Sequence, residues 1–391
     1  MKNCLMKIVL FAFLHLISQL SSAQEKSFML SGKIKGLDAK KMYIGFKDQT
    51  VKGGTRRDSI TVINKSFSYT GVIKEITMFS ISPNVERVVK KTGRGYFPAK
   101  SSLLQFIASP GGHIKFSGKI TDFVDAYPFG DDANKDLAKL NKSVFPLMNK
   151  SVNLSLKIAN KVVTDSIEIR SINKSIKEFD EKIVGIKEKF VRDNPSSIAA
   201  VWLLGDMMIR SQVSNEIATE LFGKMNKEKL VAIPFYTEVA KRVDGISSTF
   251  TGKTVPGISS DNTYDGKRFD LASLKGKYVV LDFWGTWCGP CIAGMPKMKE
   301  YLTRYNDKME IVGVAQESDD GTRWKKFLND KPEYQWHHVL SRKDEDYILK
   351  FSVAGFPTKI IVDPEGKIIG RFIGEDDEIY KKLDELLKSN Y

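Results

Sequence analysis

"YVVLDFWGTWCGPC", residues 278–291, runs from an apolar stretch straight into two cysteines three positions apart. The apolar part reads as a strand buried on both faces, interrupted once, by Asp282. Pro290 fits the first turn of a following helix, where its missing N–H costs nothing. A Cys-x-x-Cys at such a strand-to-helix junction sets its first sulfur beside unpaired backbone N–H groups, at the positive end of the helix. Both effects favour thiolate, so Cys288 is expected to have a lowered pKa and to act as nucleophile. Cys291, nearly one turn further in, is placed to attack a mixed disulfide formed at Cys288.

Two other readings of the pair compete with redox chemistry. A purely structural disulfide closing so small a loop contributes only about 2 kcal/mol in the chain-entropy model. A zinc site needs four ligands, and besides the cysteines the chain downstream of residue 23 offers only His113, His337 and His338. His337 and His338, as strand neighbours, point to opposite faces. Redox chemistry is the better account. Asp282 belongs to the same account. A carboxyl group inside a buried strand is desolvated and its pKa raised, which suits it to accept the Cys291 proton when that thiol attacks. The alternative for Asp282 is an acid at a strand end that reaches solvent.

The remaining cysteine, Cys4, lies ahead of an apolar stretch from Ile8 to Leu20 that follows Lys2 and Lys7 and ends in "SSAQ". That pattern predicts a signal peptide, 1–23, cut after Ala23. The stretch is too short for the roughly 20 helical residues that span a bilayer. The expectation is a soluble mature protein in the periplasm or cell envelope. The net charge of +14 is unevenly distributed: from Phe250 onward 22 Lys and Arg face 23 Asp and Glu. The positive charge therefore belongs to the preceding part. Export argues against nucleic acid as its partner, and lysines scattered along helices read as a solvated face.

The rest of the chain divides by pattern. Residues 24–130 alternate in short runs such as "FMLSGKIKG" and "SITVINKSFSYTGVI", the latter two strands around Asn64 and Lys65. They predict a β-rich domain, a small sandwich. Residues 131–245 repeat apolar positions every three or four residues and predict a helical region. Within it "NPSSIAAVWLLGDMMI" opens on a Ser cap, and Trp202, Met207 and Met208 read as packing residues. After a link rich in Gly, Ser and Thr, residues 246–391 alternate strands ("YVVLDFW", "EIVGVA", "WHHVL", "KIIVD", "KIIGRFIG") with helices, an open α/β sheet.

"VVLDFWGTWCGPC" resembles the active-site strand and loop of thioredoxins. From about residue 250 to 391 the chain resembles the exported thioredoxin-like proteins of the TlpA/ResA type, through "TGKTVPGISSDNTYDGKRFDLASLKGKYVVLDFW" and "GFPTKIIVDPEGKIIGRFIG". The region ahead resembles, more loosely, the poorly characterised N-terminal domain of some Gram-negative envelope proteins. The resemblance implies an α/β thioredoxin-like domain and a thiol–disulfide oxidoreductase needing no cofactor. It implies that Pro357 is the family's cis-proline and that Phe356 beside it pairs with an extended substrate segment. Trp287, Gly289 and Pro290 would complete the substrate-facing surface, with Trp284 in the aromatic surround and Pro296 kinking the active-site helix. Asp282 stands where thioredoxins have a buried acid. Two departures stand out: Gly294 replaces the Glu usual three residues after the second cysteine, and "EIVGVA" lacks the lysine that often accompanies the acid. The acid clusters "ESDD" (317–320) and "EDDE" (375–378) read as helix-start charges that complement the dipole.

The expected activity is reduction of protein disulfides. The resemblance implies a membrane thiol transporter of the DsbD/CcdA type as electron donor, and apocytochromes c or misoxidised proteins among the clients. Two alternatives remain at this level: an oxidant or isomerase of secreted proteins, and a partner-binding module carried on an inert thioredoxin scaffold.

Overall fold

The computed structural model describes residues 26–47, 55–93, 95–342, 344–375 and 377–388. The expected signal peptide, with Cys4, lies outside the described residues. No helix among the described residues is long and apolar enough to cross a membrane.

The β-rich part forms one eight-stranded sheet. Its strands are β1 (Lys26–Lys35), β2 (Lys41–Lys47), β3 (Thr55–Ile63), β4 (Ser66–Ile73), β5 (Thr77–Ser82), β8 (Leu104–Ala108), β9 (His113–Ile120) and β10 (Val124–Phe129); β6 (Lys90–Thr92) and β7 (Gly95–Phe97) form a separate hairpin. The order is β10-β9-β1-β4-β3-β2-β5-β8, and β1 pairs with β9 in parallel. Asn64 and Lys65 both take positive φ, the backbone of the two-residue turn whose twist matches its flanking strands. Alternation sends Phe28, Ile44, Ile60, Phe67, Phe79, Phe106 and Phe116 into one shared core, with Phe79 stacked 5.0 Å from Phe106. The sandwich-like layering thus comes from a single sheet folded over on itself, its edge strands β8 and β10 drawn together.

The helical region packs on those two edges. Ile107 and Tyr127 point outward into a second core with Leu137, Phe145, Leu204 and Met207. The buried Asn134 side chain accepts from Ile107 N at 2.9 Å and donates to Ile107 O at 2.8 Å, satisfying an edge that would otherwise be orphaned. Helix Ile198–Ile209 starts at Ser197, whose hydroxyl accepts from Ala200 N. A polar lock ties β6 to helix Asp132–Ala159. The buried Lys90 ammonium donates to Asp122 O at 2.7 Å, Asn149 Oδ1 at 2.6 Å and Asn153 Oδ1 at 2.9 Å.

The C-terminal part holds a two-stranded β11 (Ser259–Ser260) and β12 (Phe269–Asp270), then a five-stranded sheet. Its strands are β13 (Tyr278–Trp284), β14 (Met309–Ala315), β15 (His337–Leu340), β16 (Thr358–Val362) and β17 (Ile368–Ile373), in the order β15-β14-β13-β16-β17. The first three are parallel, and β16 and β17 return antiparallel. Helix Gly289–Arg304 crosses between β13 and β14, helix Thr322–Asp330 between β14 and β15, and helix Glu378–Lys388 closes the chain. This is the thioredoxin-like arrangement, with the cysteines where the central strand hands over to its helix. Helix Pro234–Ser248 packs against Tyr347–Lys350. Nearby, Arg371 on β17 donates to the carbonyls of Phe351 and Ser352.

Candidate active site

Cys288 is the residue just before helix Gly289–Arg304, and the Cys291 N–H points at its Sγ from 3.3 Å. The two sulfurs are disulfide-bonded, so the molecule is in its oxidised state. Cys288 is 4% exposed and Cys291 1%. Both are buried, Cys288 slightly less so, and Cys288 sits at the end of a helix that favours negative charge there. Gly289 and Pro290 lie exposed on the first turn. Pro296 sits inside the same helix.

The surface beside Cys288 is aromatic. Trp287 is 53% exposed and meets the Phe356 ring edge-on, centroids 5.0 Å apart. The Phe356–Pro357 peptide bond is cis. Pro357 itself is buried, and its carbonyl accepts from Gly374 N at 2.8 Å. Trp284, by contrast, is fully buried beneath the cysteines in a cluster with Met295 and Trp324. It supports the site from below and does not face a substrate.

The loop carrying Trp287 is fastened to the segment after β14. Glu317 accepts from Thr286 N at 2.7 Å and Thr286 Oγ1 at 2.9 Å, and Trp287 Nε1 donates to Gln316 O at 2.9 Å. Burial pushes the Glu317 carboxyl above its usual range, against the two bonds that favour its charge. A Cβ on Gly285 would lie 2.5 Å from Trp287 Nε1 and 2.6 Å from Gln316 O. Only glycine leaves room for that fastening. Glu317 is thus a loop anchor, not the helix-start charge expected for "ESDD".

Beneath the helix lies a buried charge cluster. Asp282 is 1% exposed, so the buried reading holds against the strand-end one. It shares a face of β13 with Val280 and Trp284. Val280 packs with Met298 and Trp284 with Cys288, Cys291 and Met295, so Asp282 lies under the first turns of the active-site helix. Desolvation dominates and raises its pKa. The departure read in "EIVGVA" stands, and the companion lysine comes from another strand. Lys359, the direct cross-strand partner of Asp282 on β16, supplies it. Lys359 is 1% exposed; its Nζ is 3.7 Å from Asp282 Oδ1 and 2.6 Å from Glu375 Oε2. Asp282 Oδ1 has no hydrogen-bond partner among the described residues.

Glu375, read in the sequence as part of a helix-start acid cluster, is the third member. Tyr380 Oη donates to its Oε1 at 2.6 Å. Asp377 keeps the expected place at the helix start and pairs with Lys297 at 2.8 Å. A Cβ added to Gly294 would fall 2.4 Å from the Glu375 carboxyl carbon. A carboxylate therefore occupies the ground beside residue 294, although residue 294 does not supply it.

Comparison with known proteins agrees with this construction. Residues 250–387 match the Redoxin family, and residues 28–137 match a domain of unknown function, DUF4369. The chain is 37% identical over 140 residues to the thiol-disulfide oxidoreductase ResA of Bacillus thuringiensis (strain Al Hakam), covering 35% of this chain and 76% of that protein. It is 31% identical over 157 residues to the thioredoxin-like protein YneN of Bacillus subtilis (strain 168), covering 38% of this chain and 86% of that one. Among solved structures, the thioredoxin domain of a Bacteroides vulgatus thiol-disulfide oxidoreductase is 31% identical. The likeness covers 36% of this chain and 99% of that domain, with a TM-score of 0.33.

Proposed function

We propose, from the premise that this chain belongs to the ResA-type thiol–disulfide oxidoreductases of the Redoxin family, that it works outside the cytoplasm as a reductant of protein disulfides. In the reduced enzyme the Cys288 thiolate attacks one sulfur of a client disulfide. The client's S–S bond breaks, a Cys288–client disulfide forms, and the other client sulfur leaves as thiolate. Cys291 then gives its proton to Asp282 and attacks Cys288 Sγ. The client's second sulfur leaves, and the Cys288–Cys291 disulfide retains the oxidation that the client has lost. Two electrons have passed from the dithiol to the client.

Trp287, Gly289 and Pro290 on one side, and Phe356 and Pro357 on the other, present the client strand to Cys288. A membrane thiol transporter of the DsbD/CcdA type returns the dithiol to its reduced form, and apocytochromes c or misoxidised envelope proteins are the clients. The observation that carries this reading is the position of Cys288: helix N-terminus, Cys291 N–H on its sulfur, buried acid behind.

The test is the reduction potential of the Cys288–Cys291 pair, equilibrated against a thiol buffer. A value near thioredoxin's, about −270 mV, supports the reductant. A value near about −120 mV makes the protein an oxidant of folding clients and removes the proposed direction.

A further inference from the structure

Three ionisable groups, buried Asp282 and Lys359 and half-buried Glu375, meet under the active-site helix, and they carry one positive charge between two carboxyls. The lysine is not shared evenly: Lys359 Nζ is within hydrogen-bond distance of Glu375 and 3.7 Å from Asp282. Glu375 also accepts from Tyr380, while Asp282 Oδ1 accepts from no described residue. The cation stands nearer Glu375 than Asp282, and the longer ion pair compensates Asp282 only in part. What admits Glu375 to this position is the absence of a side chain at residue 294.

We infer that Glu375 is a positioning residue that sets the proton affinity of Asp282, by holding Lys359 away from it, and that Gly294 is the cradle that makes this arrangement fit. The inference rests on Asp282 being the acceptor of the Cys291 proton. A lysine drawn fully onto Asp282 would make it a strong acid and a poor proton acceptor. A lysine held 3.7 Å off by a competing carboxylate leaves Asp282 able to bind a proton near working pH. Two contributions act in the same direction: the negative charge of Glu375 raises the Asp282 pKa directly, and its grip on Lys359 weakens the opposing pull.

The other ionisable groups nearby are few. Lys359 comes from β16, Glu375 and Tyr380 from the closing turn and helix, and the cysteines from the active-site helix. Lys297 lies over the Tyr380 ring at 3.9 Å and pairs with Asp377. Gly313, the neighbour of Asp282 on β14, brings no charge, but His338, its neighbour on β15, reaches over it, with Nδ1 2.3 Å from where a Gly313 Cβ would stand. Burial pushes that imidazole down to about 4, so it adds no charge above that pH.

The experiment follows the resolving step alone. The reduced full chain is loaded at Cys288 as the thionitrobenzoate mixed disulfide, and its release by Cys291 is timed against pH. In the wild type the rate rises with pH as Asp282 ionises, and Asp282→Asn removes that limb. Glu375→Gln moves the limb to lower pH by about one unit or more and lowers the plateau, because Asp282 has become a weaker base. Gly294→Ala keeps every charge but displaces the flexible end of Glu375, and it moves the limb in the same direction by less. This second variant also carries the test should Glu375→Gln fold poorly.

If both variants leave the limb where the wild type has it while Asp282→Asn abolishes it, the Glu375 inference is wrong and the base assignment stands. A limb that moves to higher pH overturns the inference as well. A limb that survives Asp282→Asn removes Asp282 from the step, and the inference falls with it.

Discussion

Replacing Lys359 by Met tests the energetics of the buried cluster directly. The side chain is 1% exposed, and Met fills most of its volume without the charge. Removing one partner of a buried ion pair costs about 3–5 kcal/mol, because the charge left behind has no compensation. Glu375 can absorb part of the change, being 20% exposed and still bonded to Tyr380. Asp282 cannot, so the penalty falls mostly on it, and about 3 kcal/mol is expected at pH 8. The pH dependence has a definite sign. Asp282 already has a folded-state pKa raised above its ordinary value. Such a group favours the folded state below its unfolded pKa and loses that contribution as pH rises through its folded pKa. Without Lys359 the folded pKa rises further, so the variant's deficit is largest at alkaline pH and shrinks toward acid, as Asp282 takes up its proton. Urea unfolding at pH 8 and at pH 5 measures it. Tryptophan emission suits the purpose, since Trp284, Trp287, Trp324 and Trp336 all lie in this domain. A loss below about 1 kcal/mol, or one equal at both pH values, would refute the assignment of these three side chains to a charged, mutually compensated cluster.

The remaining expectations concern the surface and the other half of the chain. Phe356→Ala removes the edge-on partner of Trp287; such a contact contributes about 0.5–1.5 kcal/mol, so kcat/KM for a protein disulfide should fall roughly two- to tenfold. Reduction of a small soluble disulfide should be unchanged, and an equal fall for both substrates would show that Phe356 acts on the cysteines and not on the client. Lys90→Met leaves Asn149 Oδ1, Asn153 Oδ1 and the Asp122 carbonyl without their shared donor. It should lower the stability of the N-terminal half by about 2–3 kcal/mol in calorimetry while the reduction potential stays fixed. A shifted potential would mean that the two halves are energetically coupled.

The N-terminal half was legible in kind, and its missing detail is a matter of closure. Alternation in "FMLSGKIKG" and the Asn64–Lys65 turn identify strands and one hairpin, because both are local signals. Nothing local states that β1 pairs in parallel with β9, more than seventy residues on, or that the edge strands β8 and β10 meet. Ile107 and Tyr127 illustrate the point. Each is an apolar residue on the outer face of a strand, and each is explained only by the helices that cover it.

The site shows the same division more sharply. Cys288, Cys291 and Pro357 announce themselves because their chemistry depends on neighbours in sequence. Glu375 and Lys359 do not, because their roles depend on register. Yet one signal was present. "YVVLDFW" and "TKIIV" are both apolar strands broken by a single charge, one acidic and one basic, and a charge inside a doubly buried strand demands a partner. Two such interruptions in strands that the topology makes neighbours identify each other as an ion pair before any coordinate is known. The pairing of Asp282 with Lys359 follows, and with it a question about charge balance. A buried Asp–Lys pair held at hydrogen-bond distance would need nothing more, whereas a lysine standing 3.7 Å off implies a competitor. Glycine at 294, where the relatives' resemblance leads one to expect a carboxylate, then says where that competitor comes from: across the gap that the missing side chain leaves, from the turn after β17.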